Sequence, residues 1–281
     1  SQHSFPTRRS SDLQIWHICK DNASFNYLQV CKRAKFVSDQ ITQMIKIKKI
    51  PTIHPFAARM APEIAFNALA DIRHDSVILD PMVGSGTVLR TVSDLGFQGV
   101  GFDLDPLSVL MSKVGTTPLN SKILKEKTDT IISTACELNS NDLHLPWIDS
   151  DTETNSFINF WFASTQKDPL RKLSYILHDL KGPYANALRI GLSKLIITKN
   201  TGASLAGDVS HGRPHKIRDK NDYDVFSSYK NACYSLAKIL DFQSLQGSAI
   251  VKLGDARNLN LVKNESIDAV ITSPPYLNAI D

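Results

Sequence analysis

Apolar residues are spread along this chain in two rhythms. Short continuous runs bounded by glycine, proline or an acid fall at Ser76–Asp80 (SVILD), Gly99–Asp103 (GVGFD), Ser248–Leu253 (SAIVKL) and Ile267–Ile271 (IDAVI). Runs of that length and bounding predict buried strands. Longer stretches with interleaved polar residues predict helices. One is Pro62–Ala70, opened by a first-turn proline; another is Val88–Leu95, stopped by Gly96; others lie near 121–138, 166–180, 183–198 and 225–240. A further helix is expected around Phe36–Lys48, where the closing KIKKI run either puts cations at a helix C-terminus or forms a solvated face.

The order of these elements carries the fold class. The first strand passes through Pro81 into a glycine turn, Gly84-Ser85-Gly86-Thr87, then into a helix, then into a second strand that ends in Asp103 and is closed by Pro106. A strand–glycine turn–helix–strand unit opens a doubly wound α/β sheet. Strand signals then vanish until Ser248, so a mainly helical insertion over 115–246 is expected to split the sheet. On this reading 51–114 and 247–281 form one α/β domain, and 14–50 is a separate N-terminal segment. No internal repeat or low-complexity tract interrupts the pattern.

Composition narrows the class without changing it. The 281 residues are 42% hydrophobic and 21% charged, as in an ordinary globular protein. No apolar run reaches the roughly 18 residues of a transmembrane helix. Cys19, Cys31, Cys136 and Cys233 are scattered with no CxxC pair, which argues against a disulfide framework or zinc site and points to a reducing cytoplasm. The net charge of +4 permits contact with nucleic acid without demanding it. Residues Ser4–Leu13 (SFPTRRSSDL) read as the conceptual translation of a sequencing adapter, so 1–13 are set aside from fold reasoning. The accompanying expectation is a gene fragment: a sheet incomplete at its C-terminus that binds cofactor poorly and has little activity.

The glycine turn and the strand-end acids suggest a ligand. Glycines let a ligand approach the backbone, and the following helix N-terminus favours negative charge. The third glycine of GxGxxG is missing, and there is no GK[ST], so a phosphate-cradling loop is disfavoured. Asp80, at the strand end, would repel a pyrophosphate. It suits S-adenosylmethionine, which carries an amino group and a sulfonium and no phosphate. Asp103, at the end of the second strand, is placed to accept the ribose hydroxyls. Asp255, in Gly254-Asp255-Ala256-Arg257, could accept the adenine amino hydrogen. Each acid alone reads more readily as a helix N-cap or loop carboxylate, but three acids at three successive strand ends beside a glycine turn favour the ligand.

Taken in order, DPMVGSGT, GFDLDP, GDAR and TSPPY resemble the amino-methyltransferases that methylate exocyclic nitrogens of DNA bases, and HPFAARMAP is similar to that family's segment over the methionine end of the cofactor. The resemblance covers 51–106 and 248–281. It implies a Rossmann-like methyltransferase sheet, double-stranded DNA as partner, a restriction–modification setting and no membrane. It implies a cofactor site from His54, Pro55, Phe56, Asp80, Pro81, Gly84, Ser85, Gly86, Thr87, Asp103, Asp105, Asp255 and Ala256. The catalytic loop would be Ser273, Pro274, Pro275 and Tyr276. In the family pattern the side chain of the first residue and the carbonyl of the first proline accept the N–H bonds of the target amine. That localises a lone pair otherwise conjugated into the ring. Tyr276 would stack on a base flipped out of the duplex.

Serine in the first position is similar to enzymes of cytosine N4, with adenine N6 the alternative. Attack at cytosine C5 would need a Cys after Pro, which this chain lacks. An RNA base methyltransferase and a non-catalytic nucleic-acid binder stay open as readings. Within the insertion, Arg213, His215, Lys216 and Arg218 are either phosphate contacts or a solvated loop, and a zinc site on His211 and His215 is disfavoured by Pro214. Phe160-Trp161-Phe162 reads as core rather than as a stacking patch. A target-recognition segment usually lies elsewhere in the motif order of this family.

Overall fold

The computed structural model describes residues 52–55, 59–196, 202–206 and 215–274. The expected helix at Phe36–Lys48 lies outside them. Strands β1 (Val77–Asp80), β2 (Gln98–Asp103), β3 (Ser248–Leu253) and β4 (Ala269–Val270) form a parallel sheet in the order β3-β2-β1-β4. This is the expected doubly wound α/β class, interrupted by helices between β2 and β3.

Strand β1 lies inside the sheet. It pairs with β2 from Val77↔Gln98 to Asp80↔Gly101, and with β4 at Ile78↔Ala269 and Leu79↔Val270. The chain leaves β1 for β2 and β3 on one side and returns to β4 on the other. The strand order therefore reverses at β1. In open α/β sheets the crevice beyond the carboxyl ends at such a reversal is where ligands bind. Strand β4 is shorter than the Ile267–Ile271 run, since only Ala269 and Val270 pair in register with β1. Backbone hydrogen bonds from Asp268 N to Val77 O and from Ile271 N to Leu79 O, both 3.0 Å, still guide the chain alongside it.

Helices α1 (Pro62–Leu69) and α2 (Thr87–Asp94) cover one part of the sheet. Ala65 and Leu69 meet Ile78, Val88, Val92 and Phe97 in one buried cluster. Leu89, on α2, joins Val83, Val109 and Val251 in another. A Cβ at Gly99 would sit 3.0 Å from Leu89 Cδ2, so α2 rests directly on the bare backbone of β2. Leu89 is fully buried. Leu89→Ala should lower unfolding free energy by about 2–5 kcal/mol, the range for a buried leucine whose site cannot collapse. Urea denaturation would read this.

Helix α3 (Pro106–Gly115) follows β2, opened by Pro106 and capped by Asp105. It delivers Met111 and Val114 into the largest apolar cluster. There they meet Leu124 of α4 (Ser121–Glu137), Leu173 of α7 (Ser164–Asp179), Leu188 of α8 (Pro183–Ile196), and Tyr229 and Leu236 of α9 (Val225–Leu240). The helical layer thus shares its core with α3. A short α5 (Pro146–Asp149) and α6 (Thr152–Trp161) complete this part. Helices α3 and α6 were not foreseen. The TETNSFINFW of α6 is poor in strong helix formers, and its start depends on Asp151, whose side chain accepts from the Glu153 and Thr154 amides. The Phe160-Trp161-Phe162 triplet is divided: Phe162 is buried and Phe160 exposed. Among the described residues no helix is long and apolar enough to cross a membrane.

Candidate active site

The turn after β1 is built around two glycines in the left-handed region. Gly84 has φ 47° and Gly86, the N-cap of α2, has φ 77°. Val83 N donates to Phe102 O at 3.0 Å and Gly86 N to Val83 O at 2.7 Å, which folds the turn against the end of β2. Gly84 N donates to Asp103 Oδ2 at 2.8 Å. Asp105 N donates to the other oxygen, Asp103 Oδ1, at 2.9 Å. A carboxylate has about four acceptor positions, so Asp103 keeps capacity for further donors such as hydroxyls. Ser85 Oγ and Thr87 Oγ1 lie 3.0 Å apart at the start of α2.

Asp80 is almost fully buried at the end of β1. Its Oδ1 accepts from Thr272 Oγ1 at 2.7 Å and from Met82 N at 3.2 Å. Burial pushes its pKa up to about 6, helped by the nearby charge of Asp103 and opposed by the hydrogen bonds from Thr272 and Met82. A carboxyl whose pKa is raised on folding favours the folded state most when protonated. Its contribution is complete below an unfolded pKa of 3.8 and is lost as pH rises through about 6. Between about pH 4 and pH 7 the unliganded protein should therefore lose about 3 kcal/mol relative to Asp80→Asn, which cannot ionise. Urea titrations of the two proteins at a series of pH values would measure that difference.

A pocket at the carboxyl ends of the strands is bordered by Arg59, Asp80, Gly84, Ser85, Thr87 and Ser273. The glycine turn and the TSPPY segment, 188 positions apart at Ser85 and Ser273, therefore share one crevice, at the strand-order reversal. A neighbouring pocket is bordered by Thr52, His54, Arg59, Gly86, Arg90 and Asp94. Arg59, Ser85 and Thr87 border both, so the segment holding His54 also reaches the glycine turn. Burial and the Lys194 ammonium hold the His54 imidazole below its ordinary pKa. Pro55 is exposed, and Phe56 lies outside the described residues, as do Pro275, Tyr276, His211 and Arg213. Pro81 and Thr87 stand at the two ends of the turn, and Pro274 is exposed beside Ser273.

The remaining acids are engaged locally. Asp105 caps α3, accepting from Leu107 N, Ser108 N and Ser108 Oγ. Asp255, just beyond β3, is held to a pKa of about 2 by Arg257, whose Nε lies 3.0 Å and Nη2 2.6 Å from its oxygens. Ala256 lies half-buried next to it. In the helical part, Lys216 Nζ sits over the Phe160 ring, 4.1 Å from its centroid, and Arg218 is half-buried; His215 is exposed. Sequence reasoning passed over Arg59, which sits inside the quoted HPFAARMAP, and Thr272, which begins the quoted TSPPY.

The acceptors at the turn are chemically compatible with an adenosyl amino-acid ligand. Two carboxylates, Asp80 and Asp103, would repel a phosphate there and could accept from an ammonium and vicinal hydroxyls.

Two curated proteins are similar to the chain. Type II methyltransferase M.MjaII of Methanocaldococcus jannaschii is 21% identical over an alignment of 332 residues that covers 86% of this chain and 62% of that protein. Type II methyltransferase M.MvaI of Kocuria varians is 26% identical over 247 residues, 79% of this chain and 52% of that protein. The chain thus spans less than two thirds of the length of either. No family model matches it, and no solved structure matches it.

Proposed function

We propose that this relative of type II DNA methyltransferases transfers a methyl group from S-adenosylmethionine to an exocyclic amino group of a DNA base, with cytosine N4 the favoured target. The observation that carries the reading is the shared crevice: Gly84, Ser85, Asp80 and Ser273 border one pocket at the strand-order reversal. The fold alone would not suffice, since the same sheet serves many chemistries.

Bound S-adenosylmethionine supplies a methyl carbon made electrophilic by its sulfonium. Asp80 would take the ammonium of its amino-acid end, Asp103 the ribose hydroxyls, and the backbone of Gly84–Gly86 its close approach. Asp255 is the acceptor proposed for the adenine amine, and it would have to share its carboxylate with Arg257. Ser273 Oγ and the Pro274 carbonyl accept the two N–H bonds of the target amine. That arrangement would concentrate the nitrogen lone pair toward the crevice and stabilise the positive charge that develops as nitrogen becomes four-bonded. The C–S electron pair would leave with the neutral thioether, and the nitrogen would then give up one N–H proton to solvent. Pro274 has no N–H and a fixed φ, so its carbonyl is offered on a stiff segment. A paired base cannot reach such a pocket, so the duplex must yield it by flipping. Lys216 and Arg218 are proposed phosphate contacts, and the cytoplasm the proposed compartment.

Labelled S-adenosylmethionine incubated with the intact protein and either DNA or RNA, followed by digestion and identification of the modified nucleoside, tests the proposal. N4-methylcytosine in DNA supports it, and N6-methyladenine moves the target base. Label confined to RNA, or cofactor binding without any transfer, refutes it.

A further inference from the structure

The geometry points to Thr272 as a positioning residue: its hydroxyl ties the catalytic loop to the carboxylate that receives the cofactor, so that one side-chain oxygen, Asp80 Oδ1, sets both walls of the crevice. This inference rests on the proposed function above.

Thr272 immediately precedes Ser273, and both its flanks are anchored. On one side Ile271 N donates to Leu79 O at 3.0 Å, the last backbone hydrogen bond joining the two strands before Asp80 and Thr272. On the other, a residue preceding proline is confined to extended backbone, which limits Ser273 before Pro274. Between these constraints the Thr272 side chain makes a 2.7 Å hydrogen bond to Asp80 Oδ1, across 192 positions of sequence. The same oxygen accepts from Met82 N, at the start of the glycine turn. Displacing that oxygen therefore moves Met82 on one wall and Thr272, with Ser273 behind it, on the other. Asp80 is almost wholly buried, so no water competes freely for these bonds. Nothing in the methyl-transfer chemistry requires a hydroxyl at position 272. Its value is that a ligand drawn to Asp80 meets a loop already held in register.

Three forms of the intact protein test this: wild type, Thr272→Val, which keeps the shape and removes the hydroxyl, and Thr272→Ser, which keeps the hydroxyl. The first readout needs no substrate. Carboxyl-carbon NMR, with the Asp80 signal identified by its loss in Asp80→Asn, follows the titration of Asp80. Removing a donor to the ionised form should raise the midpoint by roughly half a pH unit or more in Thr272→Val and leave Thr272→Ser within about 0.2 of wild type. The second readout is methyl transfer beside the Kd for S-adenosylhomocysteine. Thr272→Val should lose about tenfold or more in kcat with Kd within about threefold, and Thr272→Ser should recover to within about threefold of wild type. An unmoved Asp80 titration in Thr272→Val overturns the inference. So does equal impairment of both variants, or an unchanged kcat in Thr272→Val. If the wild type transfers no methyl group at all, the functional proposal falls, and the NMR midpoints still decide whether the hydroxyl governs Asp80.

Discussion

Ser273→Ala is expected to lower methyl transfer by about 100-fold or more while leaving the Kd for S-adenosylhomocysteine within about threefold of wild type. Ser273 borders the same pocket as Asp80, Gly84 and Ser85. None of the bonds that build the glycine turn uses its hydroxyl: Asp80 is met by Thr272 and Met82, and Asp103 by Gly84 and Asp105. The glycine turn should therefore survive the change. On the proposed function, what alanine removes is the acceptor for the target amine, which becomes positively charged only as the new bond forms. An interaction made mainly in the transition state appears in kcat rather than in substrate affinity. The magnitude is that of deleting one preorganised hydrogen-bonding group from a water-poor site, about two to three orders of magnitude. Single-turnover transfer to labelled DNA, read beside analogue binding, checks both halves. Unchanged turnover would remove Ser273 from the reaction, and an equal loss in binding would make it part of the cofactor wall.

The parts of this site that were legible in the sequence are those where local chemistry is decisive. A run such as Val77–Leu79 followed by Asp80, Pro81 and two closely spaced glycines reads as a strand leading into a turn. The backbone torsions at Gly84 and Gly86 confirm why glycine stands there. The four strands could be read because each is a short apolar block with a polar or glycine boundary. Their lateral order could not, since pairing of β4 with β1 depends on contacts between distant segments. Helix α6 was missed because its intrinsic preferences are weak and a single aspartate cap starts it. Asp105 entered the expected cofactor site only through the family resemblance, and in the structure it caps α3. Thr272 was in plain view within TSPPY. Its significance lies in a contact with Asp80 that no spacing rule anticipates.

Gly86→Ala is expected to cost about 1–3 kcal/mol of stability and to weaken S-adenosylhomocysteine binding by about tenfold or more. Two effects act together. The left-handed conformation at φ 77° is unfavourable by about 1–2 kcal/mol for a residue with a Cβ. Space is also missing: a Cβ at position 86 would lie 2.6 Å from Ser112 Oγ, 3.1 Å from Ser112 Cβ and 2.9 Å from Ser112 Cα. The first two contacts could be relieved by trimming Ser112. The third is backbone of α3, held by the Asp105 cap and by the packing of Met111 and Val114 in the largest core cluster. The strain must then be absorbed by the glycine turn itself, which moves Ser85 and Thr87, the residues that border both pockets. Ser112→Gly added to Gly86→Ala should therefore restore only part of the stability and little of the affinity. Urea denaturation and analogue titration of the single and double variants separate the two effects. Full recovery of both in the double variant would locate the clash in the serine side chain and rule out the turn distortion.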